Sequence, residues 1–148
     1  MVKLERKDKH GILTKKADCP ITPAQLQALS LGTAQLSDFD GKAYDLAAQM
    51  LADGLRPSVT VRYRRDAFTF AGSDLRLTFD TGLEAIAPVP HALFDGRITG
   101  IPVLSADEVI MEIKYGSHCP AFLRRLTDVS STQLSVSKYA LCREIISR

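Results

Sequence analysis

Four stretches of the chain alternate polar and apolar residues with period two, the spacing of a β-strand that puts successive side chains on opposite faces. In Val109–Tyr115, Ile110, Glu112 and Lys114 share one face, and Met111, Ile113 and Tyr115 share an apolar one expected to meet the interior. From Pro57 to Phe70, one face carries Val59, Val61, Tyr63, Arg65 and Ala67, and the other Thr60, Arg62, Arg64 and Asp66. Leu75–Asp80 returns after the turn Ala71–Asp74, with Leu75, Leu77 and Phe79 opposite Arg76, Thr78 and Asp80. Val2–Asp8 and Gly11–Lys16 form a first hairpin, with Lys3, Glu5 and Lys7 on one face. Lys15 and Lys16 are adjacent, so only one of them can share the face of Glu5 and Lys7.

Three helices have clear start or stop signals. Thr22-Pro23-Ala24-Gln25 fits a capping box with Pro at the first helical position. Ile21 and Leu26 are spaced as a hydrophobic staple across that cap, and Gly32 supplies a stop. A second helix is predicted from about Lys42 to Asp53, its buried stripe Ala43, Leu46, Ala47, Met50 and Leu51, with Gly54 ending it. A last helix begins at an N-cap Ser137 and places Lys138 in its first turn. A shorter helix is predicted over Pro120–Leu126. Residues 81–106, with Pro88, Pro90, Pro102, Gly82, Gly96 and Gly100, argue against a central strand or a helix there. The fold class is α+β, with antiparallel strands charged along one face and apolar along the other.

Composition adds bounds. At 148 residues the chain has the length of one ordinary domain with a single core. A net charge of +2 announces neither a nucleic-acid nor a membrane partner, so the positions of the charges matter more than their sum. No apolar run is long enough to insert in a membrane, and the charged first ten residues do not make a secretory signal. Three cysteines, Cys19, Cys119 and Cys142, have no paired spacing, which suits free thiols in a reducing, cytoplasmic compartment. His118-Cys119 and the isolated His10 and His91 lack metal-ligand spacing. The basic strands are not interleaved with exposed aromatics, so they are no stacking platform for nucleic acid.

The charged strand residues are Glu5, Lys7, Lys15 or Lys16, Arg62/Arg64 or Arg65, Arg76, Asp80, Glu112 and Lys114. On half-solvated strands such charges simply face water, which is the plainer reading of alternation alone. If the strands close around a cavity, the cations crowd. At ~5 Å two like charges repel by roughly 3 kcal/mol at an effective dielectric of about 20. A polyanion offsets that repulsion, and a run of phosphates accepts both the Arg fork and the Lys point charge. A carboxylate such as Glu112 then suits a hard cation, Mg²⁺ or Mn²⁺, beside the phosphates.

Seven segments in order carry a family resemblance: Leu4–Lys7, Thr14–Lys16, Val61–Phe68, Leu75–Asp80, Met111–Tyr115, Pro120–Leu123 and Ser137–Tyr139. Together they resemble the polyphosphate polymerase (VTC) domain of the triphosphate tunnel, CYTH-like superfamily. The resemblance implies one domain over residues 1–148, an antiparallel barrel with a basic tunnel and flanking helices, and metal-dependent transfer of the ATP terminal phosphate to polyphosphate. It implies that Lys7, Arg65, Arg76 and Lys138 handle the reacting phosphates. Lys15 or Lys16, Lys114 and Tyr63 would line the phosphate path, Glu112 would hold Mn²⁺ or Mg²⁺, and Glu5 and Asp80 would support. The family's Tyr-x-Arg pattern implies that Arg65, rather than Arg62 or Arg64, faces the tunnel. In the family an early lysine, an acceptor-side helix and an Arg-x-Arg strand precede the strand matched by Val2–Asp8. The expectation is therefore the C-terminal portion of a tunnel domain, an incomplete barrel whose open edges recruit a second copy or a partner chain. Two other readings are a polyphosphate- or nucleotide-binding module without turnover and a triphosphate hydrolase of the same superfamily.

Overall fold

The structure is a computed structural model, and it describes residues 1–11, 13–89, 97–116, 121–123 and 136–147. These fall into two compact units, the first built on Met1–Ser58 with residues 88–89 and the second on Val59–Ala87 with the described residues from Arg97 on. Apolar residues correspondingly gather in two clusters, one in each unit.

In the first unit β1 (Val2–His10) pairs antiparallel with β2 (Leu13–Ile21). The turn between them begins at Gly11, whose φ of 61° is a left-handed conformation that glycine adopts without a Cβ penalty. Helix α1 (Pro23–Leu31) starts as the sequence dictates: the Thr22 hydroxyl accepts from the Gln25 N–H, and the Gln25 side chain accepts from the Thr22 N–H. Gly32 closes it in the left-handed region. Helix α2 (Gly41–Ala52) buries Ala43, Leu46 and Ala47 against Cys19, Ile21, Leu29 and Phe39, with Met50 packed beside them. Leu51, placed in that stripe by periodicity, is only half-buried.

The second unit holds a four-stranded antiparallel sheet: β3 (Thr60–Thr69), β4 (Arg76–Ile86), β5 (Ile101–Pro102) and β6 (Ile110–Lys114). β4 is its central strand, bonded to β3, β5 and β6. This corrects the expectation of no central strand after residue 80: β4 runs six residues further, through Gly82 to Ile86. Gly82 adopts φ 59° where the β3–β4 register shifts between Arg62 and Arg64, so it makes a β-bulge rather than ending the strand. The extra residue reverses the alternation. Leu83 and Ala85 therefore continue the face begun by Arg76, Thr78 and Asp80. Leu83 and Ala85, fully buried, pack with Cys142 of helix α3 (Lys138–Ile146) and with Val61 and Ile110. Ser137 caps α3 by accepting from the Ala140 N–H. On β6 this packing involves Ile110, while Met111 and Ile113, expected to reach the interior, are half-buried.

The described residues thus form mixed α+β architecture with antiparallel sheets and flanking helices, and no closed barrel is present among them. Of the helix expected over 120–126, Ala121–Leu123 are helical and the rest lies outside the described residues, as does His118-Cys119. Among the described residues no helix is long and apolar enough to cross a membrane.

Candidate phosphate-binding site

Register alone sets out the site in the second unit. Arg65, Ala67 and Thr69 of β3 lie opposite Asp80, Thr78 and Arg76 of β4. On the other side of β4, Ile110, Glu112 and Lys114 of β6 lie opposite the same three residues. Facing pairs in an antiparallel sheet share a face. One sheet face therefore presents Tyr63, Arg65, Arg76, Thr78, Asp80, Glu112 and Lys114, and α3 adds Lys138 to it.

Asp80 is the anchor. Its side chain is 1% exposed, and both oxygens are engaged. Arg65 donates through Nε to Oδ1 and through Nη2 to Oδ2, each at 2.6 Å, a two-point fork. Lys138 Nζ lies 2.7 Å from Oδ2. The Arg65 fork, with Lys138 behind it, outweighs the cost of burying the carboxylate and holds its pKa down at about 2. The same pairing raises the pKa of Arg65, so both groups are charged at any physiological pH. Tyr63 supports the two cations from its ring face, with the Arg65 guanidinium 5.2 Å and Lys138 Nζ 5.3 Å from the ring centroid. Arg62 binds Glu84 at 2.6 Å instead, so the Tyr-x-Arg pattern selects Arg65 for this face.

Beside the anchor lies an open concavity lined by Arg65, Arg76, Thr78, Glu112 and Lys114. Glu112 Oε1 is 3.1 Å from Lys114 Nζ, and its Oε2 is 4.0 Å from Arg65 Nη2. Arg76 faces Lys114 directly across the strands, a like-charge pair that costs stability unless something anionic intervenes. Among the described residues no carboxylate pairs with the Arg76 guanidinium. Thr78 was not among the residues the sequence singled out. It is 3% exposed, and its hydroxyl has no hydrogen-bond partner among the described residues. Its place between Arg76 and Asp80 in the alternation gave its face, but its burial depends on the flanking strands.

Three or more metal-ligating side chains nowhere cluster among the described residues, so a cation cage made of protein alone is not formed there. The donor set suits another arrangement. Mg²⁺ commonly takes one or two carboxylates and completes its shell with water and substrate phosphates. Glu112, partly exposed within a basic concavity, fits such a single-point ligand.

In the first unit the register places the two adjacent lysines on opposite faces. Lys7 pairs with Lys16 and Asp8 with Lys15, so Lys16 shares the face of Glu5 and Lys7, and Lys15 lies on the opposite one. Glu5 bridges the two facing cations, at 2.8 Å from Lys7 Nζ and 2.6 Å from Lys16 Nζ. Those contacts, Lys16 foremost, lower the Glu5 pKa.

The VTC domain family model matches residues 1–146. The chain belongs to the VTC domain family. No curated protein matches it. The match covers both units of this VTC-family chain, and with them every site residue singled out by sequence.

Proposed function

We propose that this VTC-family chain belongs to a polyphosphate polymerase-like domain that transfers the terminal phosphate of ATP to a polyphosphate chain. One observation carries the reading: four cations from four elements, Arg65, Arg76, Lys114 and Lys138, collect on one sheet face around two carboxylates. A partial tunnel-type barrel is the architecture that would give such a face its phosphate path. On this reading Arg76 and Lys114, opposed across the strands, bind successive phosphoryl oxygens and lose their mutual repulsion when the anion arrives. Arg65 uses Nε and Nη2 on Asp80 and keeps its remaining N–H groups for phosphate. Asp80 and Tyr63 position Arg65 and Lys138 before the ligand binds, so little side-chain freedom is lost on binding. Glu112 would hold Mn²⁺ or Mg²⁺, and that ion would help to neutralise charge developing on the transferred phosphoryl group. In the first unit, Lys7 and Lys16 are the pair that phosphate would engage, and the register favours Lys16 over Lys15.

A reading without turnover is favoured by a separate observation. Asp80 is fully committed to Arg65 and Lys138, which leaves Glu112 as the one carboxylate lining the concavity among the described residues. The experiment incubates the chain with ATP and Mn²⁺ and follows polyphosphate formation. Product from the wild type that is lost in Glu112→Ala supports the reading, activity being expected where the N-terminal part of the tunnel domain is supplied. Undiminished synthesis by that variant removes the metal assignment. Salt-sensitive polyphosphate binding without ATP consumption establishes the binding module instead.

A further inference from the structure

Thr78 lies near the start of β4 with one strand on either side, Ala67 of β3 opposite it on one and Glu112 of β6 on the other. It is buried, and its Oγ1 lacks a partner among the described residues. A buried hydroxyl without a partner is costly, and most in folded proteins are satisfied. This one lines the concavity together with Arg65, Arg76, Lys114 and Glu112. Its two neighbours along the same face are the paired carboxylate Asp80 and Arg76. The Ala67 side chain opposite is too short to reach the hydroxyl and carries no polar atom.

A ligand that satisfies Thr78 through this concavity must tolerate three cations against one carboxylate among the described lining residues. A phosphoryl oxygen meets both conditions: it accepts a hydrogen bond from the hydroxyl and brings negative charge to Arg76, which no described carboxylate pairs. We propose that the Thr78 hydroxyl is a phosphate-binding group at the floor of the site, donating to one phosphoryl oxygen of a tripolyphosphate-like ligand. The inference rests on the phosphate-binding reading given above. Thr78 then acts as a depth gauge. Arg76 and Lys114 attract the anion from the rim, and the hydroxyl fixes how far one phosphoryl group descends between the strands.

The hydroxyl and the methyl of Thr78 separate in two substitutions. Thr78→Val keeps the shape and removes the donor, and Thr78→Ser keeps the donor and removes the methyl. Sodium tripolyphosphate is titrated calorimetrically into the full chain without added metal, and thermal unfolding is recorded for each protein. Thr78→Val is expected to bind about tenfold or more weaker, the effect of losing a hydrogen bond to a charged group. Its unliganded Tm should be unchanged or higher, because a buried unsatisfied group is gone. Thr78→Ser is expected to bind within about threefold of wild type. Its Tm should be lower, because a buried methyl is lost. Equal affinity of the wild type and Thr78→Val overturns the proposal and assigns the hydroxyl to water. A wild type that binds no tripolyphosphate overturns this proposal and the phosphate-binding reading with it. Weak binding by Thr78→Ser as well as Thr78→Val overturns the role of the hydroxyl but leaves the phosphate-binding reading standing.

Discussion

Replacing Asp80 by Asn keeps the shape of the anchor and removes its charge. Arg65 and Lys138 are then left facing a neutral amide, with their shared attraction to the carboxylate gone and their mutual repulsion no longer offset. The structure gives the size of the pH-dependent part. A carboxyl whose pKa falls from 3.8 unfolded to about 2 folded contributes on the order of 2 kcal/mol at neutral pH. Because the folded value is depressed, the contribution is complete above the unfolded pKa and is lost as pH falls through the folded one. It should be roughly half its neutral value by pH 3. Urea unfolding of wild type and Asp80→Asn, repeated from pH 7 to pH 2.5, isolates this group, because every other carboxyl titrates in both proteins. The gap in stability should be widest near pH 7 and narrow steadily below pH 4. A gap independent of pH, or an absent one, refutes the ion-pair anchor. The repelling pair in Asp80→Asn also predicts a rescue. Tripolyphosphate should raise the Tm of this variant by more degrees than it raises that of wild type, since an anion can stand in for the missing carboxylate.

Arg76→Gln removes a cation that no described carboxylate pairs, and it relieves the like-charge contact with Lys114. Its Tm should be unchanged or slightly higher, while tripolyphosphate affinity drops several-fold and becomes less sensitive to salt, read by calorimetry at two ionic strengths. Gly82→Ala tests the bulge. A Cβ there meets nothing within 4 Å, so the cost is conformational strain at φ 59° alone, about 1 kcal/mol and a Tm lower by several degrees in thermal unfolding. Glu5→Gln leaves Lys7 and Lys16 opposed without their bridge, so the Tm of this variant should recover more on adding salt than that of wild type.

Much of the site could be read in the chain because alternation fixes faces. Arg65, Arg76, Asp80, Glu112 and Lys114 fall on one sheet face as period two requires, and the caps at Thr22, Gly32 and Ser137 are local chemistry complete within four residues. What alternation cannot supply is pairing over long separations. Asp80 reads as the end of a strand, and only the β-bulge at Gly82 and the strands on both sides make it a buried mid-strand anion. A glycine inside an alternating run was the available sign of that bulge. Lys138 reads as a solvated residue in a first helical turn, because its partner lies 58 positions earlier. Lys15 and Lys16 differ by one register step, which the length of the β1–β2 turn decides and composition does not. Thr78 carries no signal of its own, since its importance comes from a missing partner.

The central claim is that one face of the second unit receives a chain of phosphates. Backbone amide NMR of the full chain, titrated with sodium tripolyphosphate, tests it most directly. Saturable shifts are expected, concentrated at residues 63–65, 76–80, 112–114 and 138–140, where β3, β4, β6 and the start of α3 converge. Shifts that never saturate, or that follow exposed lysines across the chain and spare β4, would contradict it.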